Sequence, residues 1–165
     1  MKLITKPDQV LLTKAEEWDF EKDTNAAELE AEMIEMMQAF NGIGLAANQV
    51  GLLKRVFVIK LKAADTPFAM FNPKLITQST NEQQGEEGCL SFPGLWLDIK
   101  RPHSIEAEYL DKDGKECKIS LSGIDARCFL HELEHLDGIV FTKKVSPMKV
   151  LLAQKKQLKQ RKRHG

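Results

Sequence analysis

The sequence predicts an α+β domain. Three observations carry that reading: alternating or apolar runs with turn residues between them fill the middle of the chain, helical periodicity appears before and after them, and no repeat or long linker divides the 165 residues. The length suits one domain with its own hydrophobic core, so residues 1–165 are expected to form a single unit.

The elements follow in order. A helix is expected from Asn25, with Glu28 three residues on as a capping box. Leu29, Met33, Ile34, Met37 and Phe40 form its apolar face, and Asn41-Gly42 ends it. Its methionines read as core filler. Strands are expected over 55–61 and 69–76, and a hairpin over 105–110 and 115–121 around Asp113-Gly114. A second helix begins after Ser122-Gly123 and is capped by Gly138. A last helix, about 146–163, starts at Ser146-Pro147, where a capping residue precedes a favoured first-turn proline. The segment around Glu86–Gly94 reads as too irregular for a plain core strand.

Lys+Arg and Asp+Glu are equal at 24 each, so bulk charge points to neither nucleic acid nor a membrane surface. Three cysteines do not make a disulfide framework and suit a reducing compartment. The start, Met1-Lys2-Leu3-Ile4-Thr5-Lys6-Pro7-Asp8, carries no apolar run of the signal-peptide kind, so a cytoplasmic location is expected. Residues 36–53 lack charge, yet three glycines and several amides exclude a membrane span. The last helix ends in Lys155, Lys156, Lys159, Arg161, Lys162 and Arg163: either a solvated end suited to a helix C-terminus or a basic patch.

The chemistry lies in His131-Glu132-Leu133-Glu134-His135. Two histidines four apart share one helix face and can reach one metal ion, with Glu132 beside it as general base. A catalytic site usually takes a third protein ligand. One metalloprotease pattern places it downstream, but Phe141 stands where that histidine should be. No Asp or Glu follows Asp137, which points off the motif's face, and His164 lies in the basic tail. The third ligand is therefore expected upstream. Cys117 lies in a polar, strand-like stretch. Cys128 shares the motif helix and suits packing beneath the site. Cys89 sits in Glu86-Glu87-Gly88-Cys89-Leu90-Ser91-Phe92-Pro93-Gly94, where glycine allows a turn toward a metal.

Three segments occur in order: Gly42-Ile43-Gly44-Leu45-Ala46-Ala47-Asn48-Gln49, Glu87-Gly88-Cys89-Leu90-Ser91 and the histidine motif. Together they resemble the signature motifs of the peptide deformylases, and the likeness runs from a Lys-x-Asp-x-x-Leu stretch (Lys6, Asp8, Leu11) to beyond Gly138. The resemblance implies a central metal-binding helix wrapped by small antiparallel sheets. It implies removal of the formyl group from the N-terminal methionine of new proteins, and a divalent ion on Cys89, His131 and His135, with Fe2+ expected and Zn2+, Ni2+ or Co2+ able to substitute. Glu132 is then the base, and Gln49 with the backbone N–H of Leu90 stabilises the oxyanion. Ile43, Gly44, Gly88, Trp96, Ile124, Arg127 and Cys128 are implied as substrate-binding, the first two by pairing with the peptide as an added strand. The basic helix is implied to meet the ribosome.

Four positions depart from the family's usual pattern. Leu130 stands for glutamine, Glu134 for aspartate, Arg127 for an apolar pocket residue and Trp96 for arginine. A guanidinium at Arg127 is expected to make the methionine pocket smaller or more polar and to weaken methionine selectivity. The competing readings are a related amidase acting on other N-acyl peptides and a silent ribosome-associated metal-binding protein. An ordinary endopeptidase lacks its downstream ligand.

Overall fold

The computed structural model describes residues 1–5 and 8–164, without the His164 side chain. Lys6 of the amino-terminal motif lies outside the described residues. Asp8 accepts a hydrogen bond from the Val10 N–H at a short 3-10 turn, and Leu11 is buried.

The first helix, α1 (Ala26–Ala39), buries Ala26, Leu29, Met33 and Met37, one stripe at helical spacing. The expected capping box is absent. Asn25 is the N-cap residue, but its φ −107° and ψ 32° lie outside the extended region that lets a cap side chain reach back, and it makes no cap bond. Phe40 also departs from the expected apolar face. It follows the last helical turn and is half exposed, because Asn41 (φ 55°) swings the chain away.

Seven strands follow, β1 (Gly44–Ala46), β2 (Val56–Ile59), β3 (Phe68–Gln78), β4 (Glu82–Cys89), β5 (Phe92–Pro102), β6 (Ser104–Leu110) and β7 (Glu116–Ser122). They form an antiparallel five-stranded sheet, β1-β2-β3-β6-β7, and a separate β4-β5 hairpin. The strands expected from the apolar runs are present. The segment around Cys89 corrects the expectation: it is strand, two-residue turn (Leu90-Ser91) and strand, with a register shift between Gly88 and Cys89. β5 alternates visibly, with Leu95, Leu97 and Ile99 buried. β4 does not, because its inward positions include Glu87 and Cys89 and its outward ones are Glu82, Gln84 and Glu86.

The motif helix, α2 (Gly123–Leu136), runs through the centre. One side packs on the large sheet, with Phe129 edge-on to Phe57 at 5.4 Å and Leu130 and Leu136 in the same apolar cluster. The other faces the hairpin, whose Leu95, Leu97 and Ile99 cluster with Leu11, Val140 and Phe141. Burying each such side chain contributes about 1.5–3 kcal/mol. Gly138, at φ 73°, ends α2 in the left-handed conformation. The last helix, α3 (Pro147–His164), starts where Ser146 Oγ accepts from Lys149 N and reaches back to β5 through Gln157, which donates to Pro93 O at 2.6 Å. No described helix is long and apolar enough to cross a membrane.

Candidate metal centre

Cys89 ends β4, while His131 and His135 lie one turn apart on α2. One donor atom from each falls within 4.8 Å of the others. Cys89 Sγ lies 3.3 Å from His135 Nε2. A tetrahedral ion with ordinary metal–sulfur and metal–nitrogen bonds would set that edge at about 3.5 Å. His131 donates from Nδ1 to Glu87 Oε2 at 2.9 Å, which leaves Nε2 as its free donor.

The electrostatics suit a cation. Burial works against a proton on His131, but hydrogen bonding to Cys89 and Glu87 outweighs it and raises its pKa to about 10. A divalent ion would answer the same negative surroundings. Burial, aided by neighbouring positive charge, keeps His135 well below its ordinary value, in the neutral form that ligates. Glu87 is held down to about 2, because bonds from Arg101 and His131 overcome its burial. The chemistry of one thiolate and two imidazoles fits Fe2+, Zn2+, Co2+ or Ni2+.

Glu132 is 5 % exposed, and burial raises its pKa to about 7. Its Oε2 has no hydrogen-bond partner among the described residues. The carboxylate lies so close to the β1 backbone that a Cβ on Gly44 would sit 2.6 Å from Glu132 Oε1. Glycine at 44 is thus a requirement of close approach. Gln49 is buried, its Oε1 accepts from Ala46 N and its Nε2 points at Cys89 Sγ (3.5 Å) and Ser91 Oγ (3.1 Å). Leu90 is the first turn residue after Cys89.

These groups open onto a cavity of about 560 Å³. Ile43, Gly44, Gly88, Trp96, Ile124, Arg127 and Cys128 all line it. β1 is an edge strand, paired only with β2. Trp96 is 60 % exposed, and its ring lies over Gly88, where a Cβ would come within 3.0 Å. Cys128 points its thiol at Ile43 O, 3.5 Å away, and burial raises its pKa well above the usual value. Asp137 pairs with Arg55 at 2.8 Å, away from the centre, and Cys117 lies on β7.

The guanidinium of Arg127 is engaged by fixed partners. Its Nη1 donates to Glu87 Oε1 (2.9 Å) and Ile99 O (2.8 Å), and its Nη2 to Gln83 O (2.9 Å). It borders the cavity, but these donors are held by the hairpin, because a buried guanidinium must be satisfied by fixed acceptors. Glu134 pairs with Arg101 (2.7 Å) and Lys144 (2.8 Å).

Sequence reasoning missed Arg101 and the part played by Glu87. Arg101 is 2 % exposed and forks onto Glu87 at 2.7 and 2.9 Å. The signal was present: Leu95, Leu97, Ile99 and Arg101 alternate along one inward face, and a cation there demands a buried carboxylate.

The chain matches the family described as Polypeptide deformylase over residues 1–150. It is 43 % identical over 153 residues to a peptide deformylase of Thermodesulfovibrio yellowstonii, an overlap of 91 % of this chain and 92 % of that one. It is 40 % identical over 150 residues to that of Maricaulis maris, covering 89 % and 86 %. A crystal structure of a Synechococcus elongatus peptide deformylase in complex with actinonin superposes with a TM-score of 0.86 at 34 % identity, covering 94 % of this chain and 85 % of that one. The Thermotoga maritima peptide deformylase superposes at 0.82 with 35 % identity, covering 88 % and 97 %. With its antiparallel sheets wrapped round a central helix whose two histidines meet a cysteine from the hairpin, this chain belongs to the polypeptide deformylase family.

Proposed function

We propose that this protein removes the N-formyl group from the N-terminal methionine of newly synthesised proteins, releasing formate, with a divalent ion held by Cys89, His131 and His135. The observation that carries the reading is the convergence of those three donors beside an apolar cleft lined by Cys89, His131, Glu132 and Gln49. The ion supplies the Lewis acidity that makes water nucleophilic near neutral pH.

The residues divide the remaining work. Glu132, with a pKa raised to about 7, is poised to take the water's proton and pass it to the departing amine. The amide of Gln49 and the N–H of Leu90 donate to the oxyanion, each worth about 2.7–4 kcal/mol. Gly44, the first residue of β1, and Ile43 just before it offer the open side of that edge to the peptide backbone. Gly88, Ile124, Arg127 and Cys128 border the space for the methionine side chain. Phe40, Ile43, Trp96 and Ile124 form an exposed apolar rim that a peptide would cover.

Fe2+ is the native ion in this reading, supported by the family likeness; the thiolate-imidazole donor set accepts it as it does Zn2+, Co2+ or Ni2+. α3 is the ribosome contact, supported by its Lys155, Lys156, Lys159, Arg161, Lys162 and Arg163, and the cytoplasm is the place of action, supported by the three free cysteines, which suit a reducing compartment. Protein purified without oxygen and loaded with Fe2+ is expected to release formate from formyl-Met-Ala-Ser, and Glu132→Gln to lower that release by roughly 10²- to 10⁴-fold. Metal-loaded protein that releases none would defeat the reading. For α3, truncation after Lys155 should remove co-sedimentation with ribosomes at low salt. Unchanged co-sedimentation would count against that contact.

A further inference from the structure

We propose that Arg127 is a positioning residue that locks the hairpin carrying Cys89 onto the helix carrying His131 and His135, and so sets the metal affinity of the centre. The inference rests on the reading of these three residues as metal ligands.

The ligands come from two elements with no covalent tie: Cys89 from β4, the histidines from α2. Their spacing depends on the contacts between those elements, and among these the polar ones are directional. Arg127 sits on α2, one turn before His131, and is 5 % exposed. Its fork reaches both strands of the hairpin. It donates to Gln83 O and Gly85 O on β4, to Ile99 O on β5, and to Glu87 Oε1. Glu87 lies two residues before Cys89 and holds His131 Nδ1 through its other oxygen. One carboxylate thus links Arg127, Arg101 and a metal-ligating imidazole.

An independent observation comes from Gly85. A Cβ there would stand 3.2 Å from Arg127 Nη2 and 3.3 Å from Cζ, so the guanidinium lies against the bare backbone. Gly85 is not among the glycines with positive φ. The space for Arg127, and not chain conformation, is what asks for glycine. Three backbone carbonyls and a carboxylate at fixed positions match the planar fork of arginine, whereas the ammonium of lysine is a point donor.

The test is Zn2+ affinity, measured without substrate by competition with a chromophoric chelator. It is read beside the thiolate-to-cobalt absorption of the Co2+-loaded protein. Arg127→Met is expected to weaken Zn2+ binding by on the order of tenfold or more and to shift the cobalt band. Arg127→Lys should recover only part of the affinity, and Gly85→Ala should weaken it a few-fold. At saturating metal, Gly85→Ala, which lies outside the cavity lining, should keep KM for formyl-Met-Ala-Ser and the preference for methionine over shorter side chains. Unchanged Zn2+ affinity in all three variants, with altered KM or side-chain preference, would overturn the inference and return Arg127 to the pocket wall. If Arg127→Met does not fold, Arg127→Lys and Gly85→Ala make the same comparison. Wild-type protein that bound no Zn2+ would overturn the metal-centre reading and this inference with it. Tight wild-type binding with unmoved variants would overturn this inference alone.

Discussion

Helix α2 buries nine of its fourteen residues, whereas no described side chain of the eighteen-residue α3 is buried. Both carry charge. In α2 and its surroundings the charges are dry: Arg127, His131 and Glu132 on the helix, and Glu87 and Arg101 opposite, are each 8 % exposed or less. In α3 the lysines and arginines are solvated. A charge out of water must be matched by a partner at a fixed place, and a charge in water need not be. The same residue types therefore build a rigid chemical site in one helix and an adaptable surface in the other.

The contrast can be tested from its strong end. Arg101→Met leaves Glu87 and Glu134 without their shared cation. Breaking a buried pair in this way should cost about 3–5 kcal/mol, read as a lowered urea midpoint. Glu132→Gln separates function from stability. Formate release should fall by roughly 10²- to 10⁴-fold, while the thermal midpoint of the metal-free protein should hold or rise, because a buried carboxylate with an unpartnered oxygen becomes neutral. A matching fall in stability would mean Glu132 is structural.

At the weak end, ending the chain after Lys155 removes the bonds from Gln157 and Arg161 to Pro93 O, both exposed. The stability change should stay within about 1 kcal/mol, with kcat nearly unchanged. A loss comparable to that of Arg101→Met would erase the distinction between the helices. Asp137→Ala should change least. It breaks an ion pair that is 39 % exposed on the aspartate side, worth about 0.2–1 kcal/mol, and should leave Zn2+ affinity untouched.

Where residues follow a short period, the sequence was legible. Met33 and Met37 at helical spacing placed α1, apolar runs placed β2 and β3, and the Asp113-Gly114 turn placed the β6-β7 hairpin. Ser146-Pro147 and Gly138 marked helix ends because caps are local stereochemistry. β4 was not legible, because its inward face is glutamate and cysteine and it has no apolar alternation to read.

The three motifs, through their resemblance to the deformylase signatures, pointed to the candidate groups: the thiol, the two imidazoles, the glutamate and the amide. Tertiary structure alone decided what surrounds them. The family resemblance implies Arg127 as a pocket residue, and the fold adds that its guanidinium is bound to carbonyls more than 25 residues away. Glu87 collects Arg101, Arg127 and His131 from three places in the chain. Hydrogen bonds and ion pairs act through space, with no period along the chain. Only the fold that brings the hairpin onto α2 could show which buried charge answers which.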